Sequence, residues 1–485
     1  MTTTPDRALP DPIGTTDLGW PSATELAAAI RTGEVSSREV TERCLERIDA
    51  INPALNAMCT LRPEEALATA DAVDRAVANG DELGPFAGVP TAIKDLHPVQ
   101  GWELCSASEA VGRVVMPNDA VAVRALRNAG FVFVGSTTSP EFGTVSVTES
   151  TRHGVTRSPW DTDRSPGGSS GGAAAAVASG MLPIAHGSDG AGSIREPASF
   201  CGLVGMKPSR GLVPGDALWM EGYATEGVLT RTVEDTAAAL DAFAAEKPVG
   251  WYRHPAPPTS YRAAAQRDPG RLRIGFSTRP AFPQRVDPAA AAMGRQAAEL
   301  VASLGHEVVE VDIPGLDQEW FQEKFEIIYA TGSADVDVVD EDRVEPLNRT
   351  LRAASRRTDS LTYVRAVADV QLQAREMYPL WDDVDILLTP TNPVLSPGEG
   401  ALWQGQDADP WLPLRRAEET ASLTVMANVL GLPAISVPLV EHTNGMPLGT
   451  QLIGGNNDDC TVLALAGQLE RAFPWRHRRP AGIPL

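Results

Sequence analysis

The stretch Pro166-Gly167-Gly168-Ser169-Ser170-Gly171-Gly172 embeds two serines in glycine, and a second such cluster follows it, Ser188-Asp189-Gly190-Ala191-Gly192-Ser193-Ile194-Arg195. Glycine loses more backbone entropy than any other residue when its conformation is fixed. Runs of glycine around hydroxyls therefore indicate close backbone approach to a ligand, or dihedral angles that other residues cannot adopt. We interpret the two clusters as parts of an active site.

The segment between the clusters explains their spacing. Residues 171–180 predict a compact, alanine-rich helix that rises about 15 Å, and residues 181–187 predict a buried strand that returns about 20 Å. If the helix and the strand pack antiparallel, Ser193 comes back near Ser169. The second cluster also supplies consecutive backbone N–H groups suited to binding a developing oxyanion. These groups belong to Gly190, Ala191, Gly192 and Ser193.

Lys94 ends a short apolar stretch, residues 88–93, and is the candidate base. A serine hydroxyl is a poor nucleophile until a base takes its proton, and the usual base is histidine. None of the seven histidines lies in a motif of that kind. Lysine can replace histidine where burial disfavours its ammonium form.

Residues beside these motifs have more than one interpretation. His97 closely follows Lys94, and it either borders the pocket or is a structural histidine. Ser170 either supports the hydrogen-bond network or has a purely structural role. Asp189 and Arg195 flank the second cluster, where we expect them to hold its shape rather than to touch substrate.

The composition limits the class of partner. The chain has 485 residues, 43% of them hydrophobic, and a formal net charge of -22. Such a charge opposes attraction to nucleic acid or to anionic membranes. The start of the chain lacks a signal-peptide pattern, no apolar run approaches membrane-spanning length, and we expect a cytoplasmic protein. We expect no cofactor and no metal, and reduced thiols, because the five cysteines lack the spacing of zinc sites. They are Cys44, Cys59, Cys105, Cys201 and Cys460.

Short apolar runs alternate with amphipathic helices from about residue 88, which is typical of an α/β fold. Two capping boxes predict helix starts, one at Ser22 with Glu25 and one at Ser36 with Glu39. Residues 315–415 are more helical and polar. An aromatic and aliphatic stripe within them is expected to belong to the core rather than to a pocket wall: Phe321, Phe325, Ile328 and Tyr329.

The two serine clusters, together with Lys94-Asp95, closely resemble the amidase signature family. Other stretches look like landmarks of the same family: 138–143, 158–161, 202–209, 431–438 and 445–451. The resemblance covers residues 22–475. It implies one large α/β domain with a large mixed, twisted sheet covered by helices on both faces. We expect an N-terminal extension over 1–21, a core over about 60–240 and 425–475, a more variable helical region over about 315–415, and a C-terminal tail over 476–485.

The resemblance also implies the roles of the site residues. Ser193 would be the nucleophile, Ser169 the bridging serine held by a cis peptide after Gly168, and Lys94 the general base. Ala191 departs from the family's usual glycine in the oxyanion loop. Residues in segments that the family uses near its substrate cavity are weak candidates for the pocket: His97, Trp219 and Tyr223.

By this resemblance the chain is a hydrolase of the C–N bond of small non-peptide amides or carbamates, acting through an acyl-enzyme. The catalytic residues do not separate an amide from a carbamate substrate. One alternative is the A subunit of a glutamyl-tRNA amidotransferase, and another is a non-catalytic binding scaffold. We expect a small-molecule substrate, no nucleic-acid or membrane partner, and a monomer or homodimer.

Overall fold

The computed structural model describes residues 20–215, 219–247, 251–282, 284–314, 318–441, 444–481 and 483. Its strands are β1 (Met58–Leu61), β2 (Pro90–Lys94), β3 (Glu103–Leu104), β4 (Val114–Val115), β5 (Val132–Thr137), β6 (Glu149–Ser150), β7 (Gly154–Val155), β8 (Ile184–Asp189), β9 (Val204–Lys207), β10 (Thr225–Thr230), β11 (Arg273–Phe276), β12 (Glu307–Glu310), β13 (Ile386–Pro390), β14 (Ala434–Val437) and β15 (Thr450–Gly454).

The helices are α1 (Ala23–Thr32), α2 (Ser37–Leu55), α3 (Pro63–Asn79), α4 (Val121–Asn128), α5 (Gly171–Ala178), α6 (Arg195–Cys201), α7 (Val233–Ala244), α8 (Tyr261–Gln266), α9 (Pro288–Ser303), α10 (Gln318–Ala334), α11 (Pro346–Arg357), α12 (Ser360–Ala374), α13 (Leu380–Asp383), α14 (Leu412–Ala421), α15 (Val425–Leu430) and α16 (Asp459–Ala472). Within the described ranges, none of them combines the length and the apolar character that a membrane crossing requires.

A mixed sheet organises the fold. Its eight strands run in the order β12-β11-β13-β15-β14-β9-β10-β8, and three further strands form a sheet in the order β1-β5-β2. The pairs β11–β12, β11–β13 and β2–β5 are parallel, and the other pairs in these two sheets are antiparallel. Thr91 of β2 donates a hydrogen bond to the Ile184 carbonyl of β8 at 3.1 Å, so the smaller sheet lies beside the edge of the larger one. The predicted α/β class with a large mixed sheet is confirmed.

Hydrogen bonds within the first turn fix the two predicted helix starts. The side chain of Ser22 accepts from the Glu25 N–H while Glu25 accepts from the Ser22 N–H, and Ser36 with Glu39 makes the same reciprocal pair. Each box satisfies backbone donors that the first helical turn leaves free. Both capping boxes are therefore present as predicted.

The helix and strand between the serine clusters are α5 and β8. The strand begins at Ile184 rather than at the predicted Met181. The reason is local, because the Leu182 N–H bonds back to the Ala176 carbonyl at 3.1 Å and Pro183 has no N–H to offer a ladder. All residues of α5 and β8 are buried, so the two serine clusters lie at the ends of two interior elements.

The region 315–415 is largely helical in the structure, but it also contributes β13 to the middle of the large sheet. The boundaries proposed for the domain and its two tails stay predictions. Most of the N-terminal extension, residues 1–19, lies outside the described residues.

Candidate functional site

Lys94 is the last residue of β2, and its side chain is completely buried. Its Nζ lies 2.8 Å from Ser169 Oγ and 2.9 Å from Ser170 Oγ. A third hydroxyl, Ser188 Oγ, lies 3.1 Å away. The amine is thus surrounded by serine hydroxyls that belong to the two glycine-embedded clusters.

Burial lowers the pKa of Lys94 from 10.5 to about 7, although the carboxylates of Glu226 and Asp189 act in the opposite direction. Lys207 at the end of β9 is a useful comparison, because burial also lowers its pKa to about 7. The Lys207 amine donates to the Pro208 carbonyl at 2.7 Å, and no hydroxyl in the described part of the chain contacts it. What distinguishes Lys94 is therefore its set of serine contacts.

The loop of residues 166–170 contains Ser169 and leads into α5. Its glycines are required by the conformation and packing of the loop. Gly167 has φ +88°, and the peptide bond between Gly168 and Ser169 is cis, as the resemblance implied. A Cβ on Gly168 would lie 2.6 Å from the Val147 carbonyl oxygen. The hydroxyl of Thr148 ties the loop together by donating to the Gly167 carbonyl at 2.9 Å and accepting from the Gly171 N–H at 3.1 Å. Close packing against neighbouring backbone thus accounts for these glycines.

Ser193 lies in the turn between β8 and α6 and is half-buried. Its carbonyl accepts from the Ser170 N–H at 3.2 Å, which joins the two serine clusters. The carbonyls of Ala191 and Gly192 point back into the protein, since they accept from Thr424 Oγ1 at 2.6 Å and from the Glu196 N–H at 2.7 Å. Within the described residues, no group accepts from the N–H groups of 191–193. Those donors are available to an oxyanion.

A buried ion pair supports this turn. Both carboxylate oxygens of Asp189 bind the Arg195 guanidinium at 2.9 Å, and one of them also accepts from the Ile194 N–H at 3.2 Å. Burial alone would raise the pKa of Asp189, but the Arg195 charge and its hydrogen bonds hold that pKa at about 2. These contacts tie the pair to the turn, and its role in holding the shape of the second cluster stays a prediction.

A cavity that opens to solvent lies against Ser193 and Gly168. Its wall includes a row of aromatic rings with centroids 5.0 to 5.9 Å apart. Phe321 stacks on Phe325 and Phe325 stacks on Tyr329, while Phe282 is tilted by 44° against Phe321. The stripe lies in the core as predicted, since Phe321, Phe325 and Ile328 are buried in one hydrophobic cluster and Tyr329 packs against it, but three of its members also form pocket wall. Phe321, Phe325 and Tyr329 border the cavity, while Ile328 packs in the core.

Two carboxyl groups also border the cavity. Burial raises the pKa of Glu196 well above its usual range and raises the pKa of Glu418 to about 8. Burial thus favours the protonated form of both groups, which can donate or accept a hydrogen bond. Within the described lining there is no lysine or arginine, so the cavity is suited to an uncharged, largely apolar group.

A buried amine beside hydroxyls, a serine beside free N–H groups, and an adjacent cavity are the parts that acyl transfer requires. The comparisons with known proteins give the family. A sequence profile described as Amidase matches residues 39–463. The chain belongs to the amidase signature family.

Relatives in the family match nearly the whole chain. The 6-aminohexanoate-cyclic-dimer hydrolase of Paenarthrobacter ureafaciens is 35% identical over 488 residues, covering 95% of this chain and 96% of the relative. The A subunit of the glutamyl-tRNA(Gln) amidotransferase of Synechococcus sp. (strain CC9311) is 36% identical over 483 residues, with 93% and 97% covered. A solved 6-aminohexanoate cyclic dimer hydrolase complexed with substrate superimposes with a TM-score of 0.89 at 33% identity, covering 96% of this chain and 100% of its own. The chain is thus an amidase signature hydrolase that acts on amides.

The three pocket candidates have different surroundings. His97 borders a second, larger cavity, where its Nδ1 lies 3.5 Å from Glu226. Tyr223 is buried in the core and stacks on Phe325 with centroids 6.4 Å apart, so that it lies outside the described lining of the Ser193 cavity. The side chain of Trp219 lies outside the described residues.

Sequence reasoning left several site residues without a role. Ser188 was quoted in the second cluster, but its contact with Lys94 was not predicted. Glu226 on β10 pairs in register with Ser188, and His186 Nε2 lies 3.1 Å from its carboxylate. The alternation of side chains along β8 could have indicated which face of the strand Ser188 occupies. For Glu226 there was none, because only the antiparallel pairing of β8 and β10 brings it to the site.

Proposed function

We propose that this enzyme hydrolyses the C–N bond of small, uncharged, non-peptide amides or carbamates through a Ser193 acyl-enzyme. The observation that carries the proposal is the buried Lys94 amine, 2.8 Å from Ser169 Oγ, in a loop whose Gly168 borders the same cavity as Ser193. Burial favours the uncharged amine, which has a lone pair to accept a proton.

In this mechanism Ser193 Oγ attacks the substrate carbonyl carbon. Its proton passes through the Ser169 hydroxyl to the Lys94 amine, while the N–H groups of 191–193 stabilise the oxyanion. As the tetrahedral intermediate collapses, the C–N bond breaks and the departing nitrogen takes a proton back through Ser169. Water then attacks the Ser193 ester by the reverse relay and releases the acid.

The residues that border the cavity favour an uncharged substrate. Stacked rings, and two carboxyl groups whose protonated form burial favours, suit an apolar acyl or amine portion with at most a hydrogen-bonding tip. A carboxylate-bearing amide such as glutamine would meet Glu196 and Glu418 without a counter-ion in the described lining. The alternative as the A subunit of an amidotransferase is therefore disfavoured, and glutamine is the substrate that tests it.

The test of the nucleophile is covalent labelling. A fluorophosphonate probe is expected to add one adduct to the wild-type chain, which peptide mapping assigns to Ser193, and none to the folded Ser193→Ala variant. Labelling of that variant would remove the nucleophile assignment. Absence of labelling and turnover in the folded wild type would instead favour the scaffold alternative.

The test of the base uses a matched pair of buried lysines. Lys94→Met is expected to lower kcat/KM for a neutral anilide by at least about 10²-fold, the usual effect of a positioned base. Lys207→Met removes an equally buried amine with a similarly lowered pKa, and it should leave most of the activity. Equal losses in the two variants would contradict the assignment. Initial rates with an anilide, a phenyl carbamate and glutamine then rank the substrate classes.

A further inference from the structure

Four side chains of ligand type meet beside the catalytic motif, although they come from four separate segments. Cys59 lies in β1, Asp95 directly follows β2, Cys105 directly follows β3, and His153 lies in the turn between β6 and β7. We propose that this Cys59–Asp95–Cys105–His153 cluster is a zinc-binding site that fixes the end of β2. The inference goes beyond the proposed hydrolysis and does not depend on it.

The distances within the cluster fit a single small ion. His153 Nε2 lies 2.9 Å from Asp95 Oδ2, Cys105 Sγ lies 3.0 Å from the same oxygen, and Cys105 Sγ lies 3.6 Å from His153 Nε2. The ligand atoms of Cys59, Asp95 and His153 all lie within 4.8 Å of one another. Tetrahedral zinc bonds of about 2.0 to 2.3 Å would hold such atoms about 3.3 to 3.8 Å apart. For Cys59, Asp95 and His153, shifts of at most about 1 Å would therefore reach this geometry, and Cys105 joins them through its contacts with Asp95 and His153.

The donor set also matches the chemistry of the ion. Two sulfurs, one imidazole nitrogen and one carboxylate oxygen are ligands that zinc accepts in four-coordinate sites. As a plain hydrogen-bonded cluster the same groups are less well matched, because thiols are weak donors and Asp95 Oδ2 already accepts from the Ala107 N–H at 3.1 Å. In a metal site that N–H is an outer contact that orients the ligand.

The backbone is irregular at Cys59 and directly after Cys105. The β1–β5 ladder shifts register between Met58 and Thr60, which places Cys59 at a bulge, and bulges redirect side chains. Ser106 and Ala107, immediately after Cys105, both have positive φ. Asp95 is buried, whereas the two cysteines and His153 are partly accessible, so that an ion can enter from their side.

A metal here would have a structural role. It would join β1, the end of β2, the loop after β3 and the β6–β7 turn. Because Asp95 is the neighbour of Lys94, the ion would fix the strand end that presents the amine. No catalytic step is assigned to it.

The experiment uses the full chain and zinc alone. The protein is purified, its metal content is measured by plasma mass spectrometry, bound metal is removed with a chelator, and Zn²⁺ is titrated back by calorimetry. We expect one equivalent of zinc and a higher unfolding temperature with zinc than without it. Cys105→Ser and His153→Ala should each weaken zinc binding by at least about 10-fold. Losing a residue that only hydrogen-bonds to a metal ligand already lowers metal affinity by about that factor.

Cys460→Ser is the matched control, because this thiol is also partly accessible but lies in α16, away from the cluster. It should bind zinc as the wild type does. If the ligand variants fail to fold, Co²⁺ added to the metal-free wild type still tests the site, since thiolate ligation gives intense visible and near-ultraviolet bands. Absence of stoichiometric binding, unchanged affinity in folded Cys105→Ser, or a Cys59–Cys105 disulfide in place of bound metal would each overturn the proposal.

Discussion

Replacing Asp189 with asparagine tests whether the buried ion pair holds the turn between β8 and α6. Both partners are completely buried. Asp189 Oδ2 accepts from Arg195 Nε and from the N–H groups of Ile194 and Arg195, while Oδ1 accepts from Arg195 Nη2 and Asn428 Nδ2. Every contact at either oxygen comes from a donor. An amide nitrogen in either position would therefore face donors, and the guanidinium would lose its buried counter-charge.

We expect Asp189→Asn to lower the free energy of unfolding by about 3–5 kcal/mol, the usual cost of leaving a buried charge without its partner. Urea unfolding followed by tryptophan fluorescence measures this loss. Arg195→Met and the double variant complete a mutant cycle. The double variant should be more stable than the sum of the two single losses implies, because it leaves no charge uncompensated. A loss below about 1 kcal/mol in Asp189→Asn would refute the argument.

The stability difference between the wild type and Asp189→Asn should also depend on pH. Because the folded-state pKa of Asp189 is held at about 2, the carboxylate contributes stability above its ordinary pKa of 3.8, and that contribution is lost as the pH falls toward 2. The stability difference between wild type and Asp189→Asn should therefore shrink by about 1 kcal/mol between about pH 6 and pH 3. A difference that grows on acidification would contradict the assigned ionisation state.

Ser169→Ala removes the hydroxyl nearest the buried amine, and kcat for an anilide should fall by about 10²–10⁴-fold while the circular-dichroism unfolding curve stays unchanged. Gly172→Ala should destabilise the chain by about 1–3 kcal/mol in urea, because its Cβ would lie 2.3 Å from Thr138 Oγ1 and 2.5 Å from the Thr138 nitrogen; Gly398→Ala, whose nearest neighbour would be 3.7 Å away, serves as the neutral control. Phe325→Ala opens the aromatic wall, so KM for aryl and long alkyl amides should rise more than KM for acetamide in steady-state assays, and unfolding should cost about 3–5 kcal/mol less. Equal changes in KM across the amide series would show that this ring does not contact substrate.

The sequence alone predicted the features that depend on neighbouring residues. Ser22 and Glu25 are three residues apart, so their reciprocal cap forms wherever the helix lies. The end of β2 at Lys94 and the helix-and-strand connection from Ser169 to the second cluster follow from short-range patterns as well. These predictions succeeded because a capping box forms within one turn, and because a helix or strand pattern is carried by residues that are close in the chain.

Only the tertiary structure decided which distant residues share the site. Arg195 is held by Thr424, Asn428 and Gln451, more than two hundred residues away in the chain. The cavity wall comes from α10 and α14, and its aromatic stripe has the same helical spacing as an ordinary core face. The zinc ligands proposed here have no sequence spacing of a metal motif. In each case a contact between remote segments depends on the order of the strands in the sheet. The local periodicity of a sequence does not determine that order.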